Sequence, residues 1–430
     1  MEEYVSLEEP VLLVFEWIPF DINVFEELAE ELEAKERERG ILLTDAVDED
    51  PSKPIFERVP PKAMVSVTRY EFGKVIELES FLGLGEEKLQ RERLGIRITD
   101  YGSVVYGLRI KSVCGSPKAS LDKLSRIVFD VFDDTSTLMD SILSLYQRRV
   151  LNIIYPRLRE EGFERRKYAV LIARRASPDL PRAENYLADP YGTEVRQVTG
   201  RVISAFELNG AKVLCGENGM LIIGDPGDLS WAVIYASLRA FEMFLNDMNV
   251  YLWMTWDRVS VLRRELLKGM VEEVKRRRGE LARISSDISL LSGLRGVISY
   301  AIKRLEEEFS ELEGHEALDT LRAGRILLGL KRRNQFLGDL FEAIRNEIGG
   351  VVMILNTHIE ESLDRLNTYM YILSIVFGAF GVGEFTMESL LSLGYDPAIS
   401  MLMSIGAMSA VAIGGWAIGK YVLKRGGEEA

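Results

Sequence analysis

One stripe of residues in the C-terminal part of this chain has the types and spacing for cation chemistry. Glu360, Asp364, Asn367, Tyr371, Ser374, Gly378 and Gly381 recur at steps of three and four. On a helix, that spacing lines up carboxylates, an amide, hydroxyls and unshielded backbone carbonyls. In one reading several copies surround an axis with this stripe inward. Asn367, Tyr371, Ser374, Gly378 and Gly381 then line a pore, and Glu360 and Asp364 form acidic rings at its inner mouth. In the other reading the stripe faces water at its acidic end, and its small members let helices approach closely in a membrane. An apolar stripe with the same period supplies the seam of a left-handed bundle in either case. Its members are Leu337, Phe341, Ile344, Ile348, Val351, Leu355, Ile359, Leu363, Leu366, Met370, Leu373, Phe377 and Phe380. The period alone does not choose between the two.

Other chemistry is sparse. His315 and His358 are the only histidines, and Cys114 and Cys215 are the only cysteines, without metal-type spacing. That excludes histidine-based triads and metal sites and fits a reducing cytosol. No G-x-x-x-x-G-K-[ST] motif, nucleophile elbow or paired carboxylates are present, so neither an enzyme nor an organic cofactor is expected. A net charge of −14 argues against nucleic acid as a partner. Glu306, Glu307, Glu308, Glu311, Glu313 and Glu316 form an acidic cluster that reads as a solvated helix end. Asp45, Asp48, Glu49 and Asp50 read as a solvated loop, and the basic runs 275–278 and 331–333 as exposed helix faces.

The elements that would position the stripe are two uncharged apolar runs, 366–383 and 397–419. A helix needs about 20 such residues to cross a bilayer. The first run is short but is entered by a helical segment; the second is long enough by itself. The 384–396 stretch between them holds Glu384, Glu388 and Asp396 and no Lys or Arg, and reads as an acidic loop. Arg345 and Arg365 precede the first run, and Lys420, Lys424 and Arg425 follow the second in a basic tail, 420–430. Basic residues mark the cytoplasmic side, which predicts a multi-pass protein of the cell membrane with both termini cytoplasmic. Met1-Glu2-Glu3 is acidic and opens no apolar targeting segment, so no signal peptide is expected. In the second run, Gly406, Ala410 and Gly414 are spaced four apart and Gly415 and Gly419 form a G-x-x-x-G pair.

Ahead of this, residues 1–250 mix strand and helix patterns, with a subdivision expected near 176–191. Strands are predicted at 11–17, 63–67, 74–78, 96–98, 104–110, 168–173, 196–207, 212–214 and 220–223. Helices are predicted from Asp21 to about 39, at 121–151, and at 229–246 behind Asp228 as N-cap. Asn218-Gly219 has the composition of a hairpin turn. From about 257 strand signals vanish, and 257–365 reads as a helical hairpin and stalk. Its helices are 259–284, 290–312 and one from 316 into the first apolar run, with breaks at Ser292-Gly293 and Gly314-His315. The fold class expected is an α+β cytoplasmic domain, a long helical stalk and two C-terminal membrane helices.

That order and proportion resemble the CorA family of divalent-cation channels. At residue level the likeness covers about 356–425. Phe380-Gly381-Val382-Gly383-Glu384-Phe385 stands where the family has Tyr-Gly-Met-Asn and a following aromatic, and Gly394-Tyr395-Asp396-Pro397 resembles the Gly-Tyr-Pro that opens the second span. Val382 and Gly383 replace the signature Met and Asn, which bears on ion selectivity. The resemblance implies a homo-oligomer, a pentamer, passing magnesium, cobalt or nickel. It places Gly383, Glu384 and Glu388 at the outer mouth. It also implies regulatory divalent ions, for which Glu307, Glu308 and Glu311 are the oxygen-rich candidates. A non-transporting membrane-anchored scaffold or sensor of the same architecture is the alternative.

Overall fold

Strands buried on both faces read as nearly unbroken apolar runs, and three such runs form the centre of this fold. The computed structural model describes residues 4–19, 25, 62–70, 73–84, 90–110, 118–144, 166–268, 276–393 and 396–426. Its strands are β1 (Ser6–Glu8), β2 (Val11–Trp17), β3 (Lys62–Tyr70), β4 (Gly73–Leu84), β5 (Gln90–Thr99), β6 (Ser103–Arg109), β7 (Lys118–Ser120), β8 (Tyr168–Ala173), β9 (Arg175–Ser177), β10 (Val202–Leu208), β11 (Ala211–Gly216) and β12 (Gly219–Ile223). The main sheet has nine strands in the order β10-β11-β12-β8-β2-β6-β5-β4-β3. Every pairing is antiparallel except β12 with β8, where Leu221 faces Leu171. β2 lies between β6 and β8, with Val11 opposite Arg109 on one side and Ile172 on the other. A second, three-stranded sheet places β1 between β7 and β9.

The strands at 11–17 and 168–173 form as the sequence predicts, and those at 63–67, 74–78, 96–98, 104–110, 212–214 and 220–223 form with shifted ends. The stretch 196–207 does not form one strand. It begins in a helix, Gly192–Thr199, which ends at Gly200 with φ +71; an L side chain resists that angle. β10 starts only beyond it. The left-handed hairpin turn is Asn209-Gly210, φ +51 and +83, closing the Leu208–Ala211 pair; two positive φ values define the turn that fits strand twist. Asn218-Gly219 closes the hairpin expected of it, the short link between antiparallel β11 and β12, with Asn218 donating its N–H to Thr199 O at 2.9 Å.

The helices are α1 (Leu121–Ser144), α2 (Gly192–Thr199), α3 (Ser230–Leu267), α4 (Arg278–Glu311), α5 (Glu316–Thr320), α6 (Ala323–Ser392) and α7 (Pro397–Gly426). Asp228 Oδ1 accepts the Ser230 N–H at 3.0 Å, the capping bond expected of it. α3 continues past the expected end at 246 because Leu245, Met248, Leu252, Val259, Leu262 and Leu266 carry a buried stripe onward. α4 runs unbroken through Ser292-Gly293 for the same reason: Leu291, Leu294 and Ile298 are buried on one side of it. The predicted helix from 316 is interrupted at Arg322, φ +54, before α6 starts. α6 then extends to Ser392, so Glu384 and Glu388 lie on helix, not in the loop predicted over 384–396. The helix expected from Asp21 to 39, the loop at 45–53 and Cys114 lie outside the described residues.

The chain divides into two compact units, Met1–Arg258 with Glu280–Asn346 and Val259–Gly279 with Glu347–Ala430. Within the first unit, α4 packs antiparallel on the start of α6: Glu306 pairs with Lys331, Ser299 with Asn334 at 2.9 Å and Ser292 with Arg345 at 3.2 Å. The core of this unit also holds a charge. Lys167, fully buried, donates to Phe132 O and Thr135 Oγ1, both at 2.6 Å, and lies 3.5 Å from Glu16 Oε2. Glu16 in turn accepts from Tyr106 Oη at 3.0 Å. A lysine buried with all three donors directed to oxygen is a satisfied core cation.

Candidate functional site

Among the described residues two helices are long and apolar enough to cross a membrane, Leu366–Ser392 within α6 and Pro397–Ala417 within α7, and little of either is buried in the chain. Sparse burial distinguishes them from the core helices of a water-soluble protein.

They pack on each other through one seam, at steps of four on α6 and of four and seven on α7. Tyr371, Ile375, Ala379 and Gly383 on α6 meet Ser400, Ser404, Met408 and Gly415 on α7. Tyr371 donates its hydroxyl to the Gly415 carbonyl at 2.9 Å. A Cβ on Gly415 would lie 3.0 Å from Ile375 Cγ1. At the far end, Ser404 donates its hydroxyl to the Gly383 carbonyl, and a Cβ on Gly383 would overlap Met408 Cγ and Sδ. Ala379, Ser400 and Ser404 are buried between the helices. Small residues and side-chain-to-carbonyl bonds hold such a pair where solvent supplies no apolar drive.

This seam engages two residues of the predicted site. Tyr371 belongs to the polar stripe by spacing, yet its hydroxyl is committed to α7. Gly383, expected at an outer mouth, is buried with its carbonyl taken by Ser404. Both sit on the i+4 row that faces α7; a period of 3.5 does not show which nearby row a neighbour will occupy.

The rest of the stripe faces away from the seam. Glu360, Asn367, Ser374 and Gly381 are all exposed and recur every seven residues, and Glu388, brought onto the helix by its extension to Ser392, continues that spacing and is exposed too. Ser374 donates to the Met370 carbonyl of its own helix at 2.8 Å, which leaves the oxygen's lone pairs outward. A Cβ on Gly378 or Gly381 would meet nothing within 4 Å. Glu384, one turn before Glu388, is exposed too. Asp364 is on the same helix, with its side chain outside the described ones. The apolar stripe changes environment along α6: Leu337, Phe341, Ile344, Ile348, Val351 and Leu355 are buried, and Leu363, Leu366, Met370, Leu373, Phe377 and Phe380 are exposed. On α7, Gly406, Ala410 and Gly414 are exposed and do not face α6.

The candidate regulatory carboxylates are not brought together. Glu307 is paired with Arg304 at 2.7 Å and Lys303 at 3.8 Å, Glu308 accepts from Tyr101 Oη at 3.0 Å, and Glu311 is exposed. Among the described residues no three His, Cys, Asp or Glu side chains gather in a metal-binding group. Their spacing on α4 gave no sign of this, because the competing partners come from the sheet and from neighbouring basic residues. Cys215 is buried, with its sulfur 3.3 Å from the hydroxyls of both Tyr168 and Tyr235, and burial raises its thiol pKa. That makes it a packing residue and an unreactive thiol. His315 caps α5 through Nδ1, 3.3 Å from the Ala317 N–H, and stacks on buried Trp231.

The family model for the MJ1566 N-terminal domain matches residues 1–226, a stretch that ends just past β12. The uncharacterized protein MJ1566 of Methanocaldococcus jannaschii is 22% identical over 318 residues, covering 71% of this chain and 66% of that protein. The matched stretch thus falls just short of two thirds of the relative's length.

Proposed function

The chain belongs to the MJ1566 N-terminal domain family, and we propose, on its own helices and their side chains, that it is a membrane protein built like the CorA family, conducting a divalent cation. In this reading α6 and α7 both span the bilayer, the termini are cytoplasmic, and several copies, five by the resemblance, surround an axis. The observation that carries it is the column Glu360, Asn367, Ser374, Gly381 and Glu388. These residues recur every seven positions on α6, are exposed in the single chain, and lie off the seam with α7. A seven-residue repeat stays on one line only if helices supercoil around a common axis. Lining that axis, the column gives carboxylates at both ends and an amide, a hydroxyl and bare backbone between. A partly hydrated ion needs such a sequence of oxygens. Magnesium, cobalt and nickel are the candidate cargoes, driven by the membrane potential.

The test is cation uptake by proteoliposomes with an imposed potential. Wild-type protein takes up a divalent cation and Ser374→Leu loses uptake while remaining folded and oligomeric. Unchanged uptake in the variant would remove Ser374 from the path.

A second reading, a non-transporting scaffold or sensor, is favoured by one observation. The position of the signature Asn is Gly383, and its carbonyl is spent on Ser404. No uptake from folded, oligomeric wild-type protein would select this reading.

A further inference from the structure

The turn between β5 and β6 is held rigidly. Thr99 Oγ1 accepts the Ser103 N–H at 2.9 Å and donates to Ser103 O at 3.1 Å, Trp17 Nε1 donates to Tyr101 O at 2.9 Å, and Gly102 adopts φ +91. A Cβ at Gly102 would overlap the Ile18 carbonyl, so only glycine fits this turn. The turn presents two adjacent polar residues, Asp100 and Tyr101, to α4. Tyr101 donates its hydroxyl to Glu308 at 3.0 Å, and Tyr300 of α4 donates its hydroxyl to Asp100 at 3.1 Å. Tyr300 and Glu308 are about two turns apart on one side of α4. The contact is therefore reciprocal: each element contributes one tyrosine and one carboxylate.

We propose that this reciprocal pair is a proton-responsive latch that fixes the sheet to α4. Several charged groups face Glu308. Arg97 approaches from β5, Tyr101 from the turn, and Arg304 and Glu311 from α4 itself. Arg304 is shared with Glu307, which limits what it can give Glu308. Burial raises the pKa of the Glu308 carboxyl above its usual range, opposed by the bond from Tyr101 and by Arg304 and Arg97. A group whose pKa is higher in the closed state adds stability to that state below its open-state pKa. That contribution is lost as pH rises through the raised value. The latch is thus tightest in mild acid and loosens as Glu308 ionises. Its state passes along α4, which is antiparallel to the start of α6 and tied to it by Glu306–Lys331, two residues before Glu308. The inference is independent of whether the protein conducts ions.

Hydrogen exchange on the full-length protein in detergent, corrected for intrinsic pH dependence, tests it. Protection at 99–103 and 300–308 should fall in wild type by about tenfold per pH unit between the ordinary and the raised carboxyl values. Glu308→Gln keeps an acceptor for Tyr101 without a titrating group, and its protection should stay flat with pH. Tyr101→Phe should show weakened protection throughout. A flat wild-type profile, or the same pH dependence in Glu308→Gln, would overturn the proposal. Circular dichroism of each variant shows whether it has folded, and if Glu308→Gln does not fold, Tyr300→Phe serves as the second probe. Removing Asp100's tyrosine should lower protection equally at all pH values, leaving the Glu308-dependent slope intact; loss of that slope would equally refute the assignment.

Discussion

Replacing Gly383 by alanine separates its two placements, and Gly378→Ala is the internal control. Both glycines lie on α6, and alanine is favoured over glycine in a helix by about 0.8–1.0 kcal/mol. That gain is common to the two variants and cancels in their difference. A Cβ at 378 meets nothing within 4 Å, whereas one at 383 overlaps Met408 and lies 3.3 Å from Ser404 Oγ. Ordinary carbon contacts are about 3.5–4.0 Å, so Met408 must withdraw by about 1 Å or the helices must part. Overpacking of this kind costs about 1–3 kcal/mol. Methionine is flexible, and the lower half of that range is expected. Gly383→Ala should therefore be about 1–2 kcal/mol less stable than Gly378→Ala in SDS-driven unfolding from mixed micelles. Met408→Ala should restore most of the loss when combined with Gly383→Ala. Equal stability of the two glycine variants, or no rescue by Met408→Ala, would refute the seam and return Gly383 to an outer mouth.

Tyr371→Phe removes the bond to Gly415 and should cost about 0.6 kcal/mol, at most about 1.7, in the same unfolding assay. Lys167→Met takes the cation from beside the buried Glu16 and should lose about 3–5 kcal/mol in chemical denaturation, much of it recovered in Lys167→Met with Glu16→Gln. Asp247 is pushed up to about 6 by burial, against the pull of Arg166. Its contribution to stability is therefore full below the ordinary carboxylate value and is lost as pH rises through about 6. Asp247→Asn should flatten that part of the pH–stability curve, and an unchanged slope would assign it to another group.

The strands at 11–17 and 168–173 were legible because they are apolar at nearly every position and end in Pro, Gly or charge. The stretch 196–207 misled because Val195, Val198 and Val202 suit either state, and only the left-handed Gly200 divides them. α3 outran its expected end because the Asn- and Asp-bearing segment 246–249 looks like a stop, while the buried face of the helix passes it by. In the candidate site, sequence placed 360, 367, 374 and 381 on one stripe, left 388 in a loop that proved to be helix, and could not show which row of α6 would take α7. Tyr371 and Gly383 fell to that row because a tyrosine hydroxyl and a bare glycine are what an adjacent helix backbone can use. Glu308 looked like a metal ligand among acidic neighbours; its tyrosine partner is more than two hundred residues away in the chain.

The placement of β1 and β2 sets an order of events during synthesis. β2 has β6 on one side and β8 on the other, and β1 lies between β7 and β9. β2 can close against β6 once residue 109 has been made, but its other edge stays open until 168–173 follows. Contacts of such long sequence separation form slowly, and an apolar strand with an open edge is the kind of surface that chaperones shield and aggregates recruit. The early strands act as keystones that arrive first and are locked last. A pause in translation before residue 168 would prolong that exposure, and a fusion close ahead of Val5, whose N–H reaches Glu194, would act at the same point in assembly.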